Sequence, residues 1–290
     1  HNAFDHYMSP DVVQEMIAHP ERLKIGGEKR VLTAMFTDIQ GFSSISEKLE
    51  PEQLTSLLNL YLGEMCDIIL AEGGTIDKFE GDAIIAFWGA PRDIDDSPER
   101  ACRAAIAMKK KEMELNERIV AENLAPNTLR TRIGINTGEM TVGNMGTSTR
   151  FDYTAMGHNM NLAARLEGVN KQYNSQILIS DNTYECVHRR NENYHPFSTR
   201  RLDQVRVVGI SEPVQLYELI DLREEVDDSQ ALIDELRSFN AALNTFNSRD
   251  FAQAEQLFTE LQARYTHPEW YPEGGPAKYY VEWCRTFRKK

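Results

Sequence analysis

Asp38 and Asp82 each stand where a strand-forming run meets a turn. The first closes VLTAMFT (31–37). The second follows KFEG (78–81) and opens the apolar run 83–88, long enough for one buried strand. If those strands are neighbours, the two carboxylates converge at one edge of a sheet. A carboxylate pair with no histidine nearby suits Mg²⁺ or Mn²⁺, hard ions that take oxygen ligands and share them with substrate phosphates. Two such ions about 4 Å apart can activate an attacking oxygen and neutralise a leaving one. The turn Gly41-Phe42-Ser43, entering a helix, adds backbone N–H groups for phosphate oxygens. Taken singly, strand-end aspartates are more often turn or capping residues, and Lys78 and Asp82 read as two charges flanking a tight turn at Glu80-Gly81.

The elements that would position these residues follow in order. Residues 9–19 predict a short amphipathic helix, with Ser9 as N-cap, Pro10 in its first turn and an apolar face of Val12, Val13, Met16 and Ile17. Gly26-Gly27 separates it from the strand 31–37. A helix from Pro51 carries Leu54, Leu58, Tyr61, Met65 and Ile68 at helical spacing and ends at Gly73-Gly74. After the hairpin 74–89, Ser97-Pro98-Glu99 starts a second long helix with Ala101, Ala105, Met108, Leu115 and Ile119 inward. A strand over 130–142 turns back through 143–146 into 150–156. Then come a helix over 159–172, a strand at 177–179 and a closing hairpin over 203–220. The order β-α-β-β-α-β with a further α-β predicts an α/β (α+β) fold, ferredoxin-like at its centre, with flanking helices.

Beyond Asp221 the composition changes. Leu232, Leu236, Phe239, Leu243 and Phe246 share one helical face, and Phe251, Ala254, Phe258, Leu261 and Tyr265 another. A third helix would hold Tyr280, Trp283 and Phe287. The first two resemble one tetratricopeptide-like hairpin, which cannot bury its apolar faces alone and should dock on the main domain or a protein partner.

Composition bounds the function. The formal charge of −13 argues against a nucleic-acid surface. Four scattered cysteines form no CxxC pair, and no HxxxH spacing occurs, which fits a reducing compartment without a zinc site. No apolar run approaches the roughly 20 residues that span a bilayer. The sequence begins at His1, so an upstream sensor or membrane domain is expected outside it, with this part cytoplasmic.

Four stretches together closely resemble the class III nucleotidyl cyclase catalytic domain: FTDIQGFSS (36–44), KFEGD (78–82), RIGINTGEMTVGNMG (132–146) and YTAMGHNMNLAARLE (153–167). The resemblance covers roughly residues 25–222. It implies that Asp38, Asp82 and the backbone carbonyl of Ile39 hold two Mg²⁺ or Mn²⁺ ions per site, with Phe42 and Ser43 on the substrate. It further implies that Asn161 orients the ribose, that Arg165 offsets charge on the α-phosphate, and that Lys78 and Thr154 read the base. Such domains work as head-to-tail dimers, with aspartates from one protomer and the other residues from its partner. Threonine at 154, where many relatives carry aspartate, is similar to a subgroup that includes bicarbonate-responsive adenylyl cyclases.

The base can be argued from chemistry. Adenine offers an acceptor at N1 and a donor at N6, which a lysine and a hydroxyl acceptor complement. Guanine would set its N1–H against Lys78, and an unpaired buried polar group costs about 1–3 kcal/mol. The expected activity is therefore ATP to cyclic AMP and pyrophosphate by a homodimer. Guanylate cyclase and a silent dimerising or nucleotide-binding module are the rivals; a diguanylate cyclase would show GGDEF. Two departures stand out: Val208-Gly209 where a phosphate-contacting lysine often precedes the glycine, with Arg206 nearby, and His158 where aspartate or asparagine is common. The expected division is an N-terminal helix and linker (1–25), a catalytic domain (26–222) and a helical extension (223–290).

Overall fold

The computed structural model describes residues 9–22, 24–192, 195–206, 212–223 and 229–289. Val208-Gly209 falls outside the described residues. At the centre lie β1 (Gly26–Ile39) and β4 (Thr131–Gly146), antiparallel and in register from Gly26 opposite Asn144 to Ile39 opposite Thr131. β2 (Thr75–Glu80) and β3 (Ala83–Trp88) form the hairpin beside β1, so that the first four strands run β2-β3-β1-β4, all antiparallel to their neighbours. This is the ferredoxin-like core the element order predicts. β6 (Ile177–Ser180), β8 (Val214–Leu222) and β7 (Phe197–Val205) extend the sheet, with β4–β6 the parallel pairing. β5 (Phe151–Met156) pairs with the far end of β4.

Both central strands are longer than their apolar runs suggest. Gly26-Gly27, read as a separator, is the start of β1, and 143–146, read as a turn, is the end of β4. The two glycine ends need each other: a Cβ at Gly143 would lie 2.2 Å from the Gly26 carbonyl oxygen. The chain reverses instead over Thr147 to Arg150, where Thr147 N–H donates to the Arg150 carbonyl at 2.7 Å.

One face of the sheet carries α3 (Pro51–Ala71) and α4 (Ser97–Glu122). α4 buries all five residues of its predicted stripe. α3 is rotated by one position: Leu57, Tyr61, Met65 and Ile69 are buried, while Leu54, Leu58 and Ile68 are half-buried flanks. A strict four-residue spacing keeps one narrow seam against the sheet. By length and composition α3 could cross a membrane, contrary to the sequence expectation, but its seam packs into the core with Met35, Ile84 and Trp88.

The other face carries α5 (His158–Tyr173) and, beyond it, α7 (Ser229–Asn247), α8 (Phe251–Gln262) and α9 (Gly275–Arg288). α6 (Asp181–Arg190), which the sequence reading passes over, leaves β6 through an N-cap at Ser180 that accepts from the Thr183 N–H at 3.2 Å. α1 (Pro10–Ala18) begins at Pro10 behind Ser9 as expected, without a side-chain cap bond; Val12 is buried, and Arg92 donates to Asp11 at 2.7 Å.

The C-terminal helices dock on the main body. Leu232, Phe239, Phe258 and Tyr280 share one apolar cluster with Leu166 and Tyr173 of α5 and Leu202 and Leu216 of the sheet. Within it sits a buried ion network. Arg200 of β7 pairs with Glu218 of β8 at 2.5 Å and with Glu235 of α7, and Tyr271 donates to Glu218 at 2.7 Å. Phe239, Tyr265 and Tyr271 surround the guanidinium at 5.0, 5.1 and 5.4 Å, within cation–π range. Removing the cation strands two buried carboxylates, so Arg200→Leu should lower urea-unfolding stability by about 3–5 kcal/mol. A loss below about 1 kcal/mol would show that the network does not hold the extension in place.

Candidate active site

The last turn of β1 and the tip of the β2–β3 hairpin make the site. Glu80 pairs with Ala83, so the turn residues are Gly81 and Asp82, one step later than the sequence suggests. Gly81 has φ +64°, the left-handed region that a two-residue hairpin requires at its first central position. Asp82 is therefore part of the turn itself, and its Oδ2 accepts from the Ile39 N–H at 2.8 Å. That bond ties the tip to the end of β1 and brings Asp82 beside Asp38. Burial and the neighbouring Asp38 carboxyl push the Asp82 carboxyl up to about 6, against the opposing pull of the Ile39 N–H.

Asp38 has a brace on its other side. It lies opposite Arg132 in the β1–β4 ladder, and the guanidinium donates to Asp38 Oδ2 at 3.1 Å. The same guanidinium lies 3.1 Å from Glu167 of α5. Burial, partly offset by Arg132 and added to by the Asp38 and Asp82 charges, lifts the Glu167 carboxyl to about 7. Glu167 can reach this point because α5 rests directly on β4. A Cβ at Gly134 would lie 2.2 Å from the Glu167 nitrogen, and one at Gly138 would run into the Asn159 side chain. The glycines of RIGINTG thus make a smooth track for the helix. Arg132 and Glu167 lie within two of the four motif stretches but show no role in sequence; an arginine opposite a strand-end aspartate shows only once strand pairing is known.

Lys78 and Thr154, 76 positions apart in sequence, meet through a third residue. Thr154 of β5 is nearly buried, and its hydroxyl donates to Asp77 Oδ2 at 2.6 Å. Lys78 is half-exposed, its Nζ 3.8 Å from Asp77 Oδ1. The predicted base-reading pair is therefore together within one protomer, at the other end of the hairpin from Asp82. Asn161 and Arg165 stand one turn apart on an exposed stripe of α5 and have no side-chain partner among the described residues. Phe42 and Ser43 begin α2 (Phe42–Ser46), a single short turn behind Gly41, and Ile39 is the last residue of β1.

The donor set can be tested for a cation. Among the described residues no three His, Cys, Asp or Glu side chains converge as a complete ligand shell. Asp38 and Asp82 form an oxygen-only pair that repels itself when both are ionised. That chemistry fits a hard divalent ion whose remaining ligands come from substrate.

The model of the adenylate and guanylate cyclase catalytic domain matches residues 27–221. The chain belongs to this family. Adenylate cyclase 1 of Rhizobium meliloti (strain 1021) is 36% identical over 203 residues, 70% of this chain and 29% of that protein. The crystal structure of the adenylyl cyclase CyaB from P. aeruginosa is 40% identical, covers 70% of this chain and 100% of its own, and superposes with a TM-score of 0.63. That of the guanylyl cyclase Cya2 is 33% identical, covers 70% and 98%, and has a TM-score of 0.60. The chain spans well under half the length of the first curated relatives it matches. The cyclase fold is thus shown by sequence and architecture together, and the family includes divalent-metal enzymes acting on either purine.

In the metal-free protein the Asp82 carboxyl carbon should titrate near pH 6 by NMR. Asp38→Asn removes the neighbouring negative charge, so that midpoint should move down toward the ordinary carboxylate range. A midpoint that stays in place would mean that the two carboxylates do not meet. A cation needs the ionised form, so apparent Mn²⁺ affinity should fall as the pH drops below about 6.

Proposed function

We propose that this chain is the catalytic part of an adenylate cyclase, converting ATP to 3′,5′-cyclic AMP and pyrophosphate at sites shared between two copies. The observation that carries the choice of ATP is the meeting of Lys78 and Thr154 at Asp77, which sets one donor and one hydroxyl side by side. An ammonium complements adenine N1, and a hydroxyl oxygen complements the N6 amine. A pair built this way discriminates strongly, because the wrong base leaves polar groups unpaired.

In this reading Asp38 and Asp82 would hold the divalent ions, with the Ile39 carbonyl beside them, and the ions supply positive charge to the triphosphate and acidify the ribose 3′-hydroxyl. Arg132, donating to Asp38 Oδ2, holds that carboxylate in place at the site. The N–H groups at Phe42 and Ser43 face the phosphates. Asn161 orients the ribose so that its 3′-oxygen lies in line with the α-phosphorus. As that oxygen bonds to phosphorus and pyrophosphate departs, Arg165 offsets the charge that builds on the α-phosphate. Catalysis is then positioning plus electrostatics.

The placement of side chains supports a shared site. Asp82 turns toward β1, while Lys78 lies beside Asp77 and β5, so one hairpin faces two directions. Asn161 and Arg165 stand exposed and unpartnered, available to a second copy. We assign residues 1–25 to a leading helix and linker, 26–222 to the catalytic domain and 223–290 to a docked helical extension. The extension's outer surface would suit a protein partner, and a sensor or membrane anchor would lie upstream of a cytoplasmic catalytic part.

The direct test is turnover of ATP and GTP with Mg²⁺ or Mn²⁺, read by product identity. Cyclic AMP should form in large excess over cyclic GMP, and Asp38→Ala should lower its rate by at least about a thousandfold. Cyclic GMP as the main product, or wild-type turnover by Asp38→Ala, would contradict the reading.

A further inference from the structure

Asp77 is the one residue of β2 that the hairpin ladder skips. Pairing steps from Ile76 opposite Ala86 to Lys78 opposite Ile85, leaving Asp77 as the extra residue of a bulge. Bulges re-aim side chains, and they gather next to active sites. Here the bulge turns an aspartate inward from the edge strand of the sheet: its side chain is 2% exposed, although β2 has a neighbour on one side only. A buried carboxylate is costly unless it is paired and hydrogen-bonded. Its Oδ2 accepts the Thr154 hydroxyl at 2.6 Å, while Oδ1 has no hydrogen-bond partner and lies 3.8 Å from Lys78 Nζ.

We infer that Asp77 is a specificity-determining positioning residue, which fixes the polarity of the Thr154 hydroxyl so that it can only accept from the base. This rests on the reading of Lys78 and Thr154 as the base-reading pair. A threonine hydroxyl by itself discriminates poorly, because it carries one donor and two acceptor sites and rotates to suit its partner. Burial raises the Asp77 carboxyl, while the Thr154 hydroxyl and the Lys78 ammonium pull it back; in its ionised form it can only accept, so the single proton of Thr154 is committed to it. What remains for the base is lone pairs. They fit the N6 amine of adenine and oppose an oxygen at the same position. Asp77 also draws the Lys78 ammonium toward the same corner. The bulge thus places one buried carboxylate where it can orient both contacts without touching the nucleotide.

The probe that isolates this effect is 6-methoxypurine riboside triphosphate. It keeps the N1 acceptor for Lys78 and replaces the N6 donor by an oxygen acceptor. The ratio of kcat/KM for ATP to that for the probe is measured in the full chain. Asp77→Val and Asp77→Ala, made in parallel so that either carries the test if the other misfolds, should narrow the ratio about tenfold. Asp77→Asn keeps an acceptor oxygen and should stay within about threefold of the parent. In a Thr154→Val background, Asp77→Ala should no longer move the ratio. An equal loss on both nucleotides, with the ratio unchanged, would make Asp77 a purely structural residue and overturn the inference. If Thr154→Val itself leaves the ratio unchanged, the base-reading assignment fails and this inference falls with it.

Discussion

All 14 residues of β1 lie against β4, and the rest of the molecule takes its positions from that ladder. It sets Asp38 opposite Arg132, so a strand-end carboxylate that would otherwise face its neighbours unbraced has a cation built across the strand pair. It sets Gly134 and Gly138 under α5, so the helix comes close enough for Glu167 to reach the same guanidinium. Interiors do not tolerate even one extra methylene at such contacts without displacement. A side chain at Gly134 would therefore lift α5 and carry Glu167, Asn161 and Arg165 with it. The placement of Asn161 and Arg165 thus depends on a glycine of β4.

Against this frame the short hairpin has two separate duties. Its tip is held to β1 by the Ile39 N–H, which crowds two carboxylates together. Burial, with the Asp38 carboxyl adding to it, raises the Asp82 carboxyl, and a cation would relieve both. Five residues before Asp82, the bulge at Asp77 aims the strand toward β5 and Thr154 instead. A regular two-residue alternation would have put Lys78 and Asp82 on the same face. The Gly81 turn separates them, and the two ends of the hairpin meet different neighbours, β1 at Asp82 and β5 at Asp77.

Much of this was legible in the residues. Asp38 and Asp82 end and begin apolar runs, and strand ends are where a sheet can present charge, so their convergence follows once the strands pair. The core helices were legible by period, although adjacent Leu57 and Leu58 support two helical faces equally and only the sheet decides between them. Arg132, Glu167 and Asp77 were not legible by role, because the partner of each lies far away in sequence: Asp38 is 94 positions from Arg132, and Asp77 is 77 from Thr154. α6 escaped because its only buried residues are Thr183 and Val187, too few to give a period. The C-terminal aromatics announced a docking face without saying on what; the answer, α5 and the β7–β8 end of the sheet, came with a buried arginine that no apolar pattern would include.

In the proposed reading each active site is built from two copies of the chain, with the aspartates of one and α5 and the base-reading pair of the other. Mixing tests it. Asp82→Ala and Arg165→Ala chains, each inactive alone, are combined and the heterodimer is demonstrated by differently tagged pull-down before cyclic AMP is measured. One of the two interface sites then contains neither substitution, so activity should return to about a quarter of the wild-type level in a statistical mixture, half the chains pairing as heterodimers with one intact site each. Demonstrated heterodimers that make no cyclic AMP would contradict the shared site.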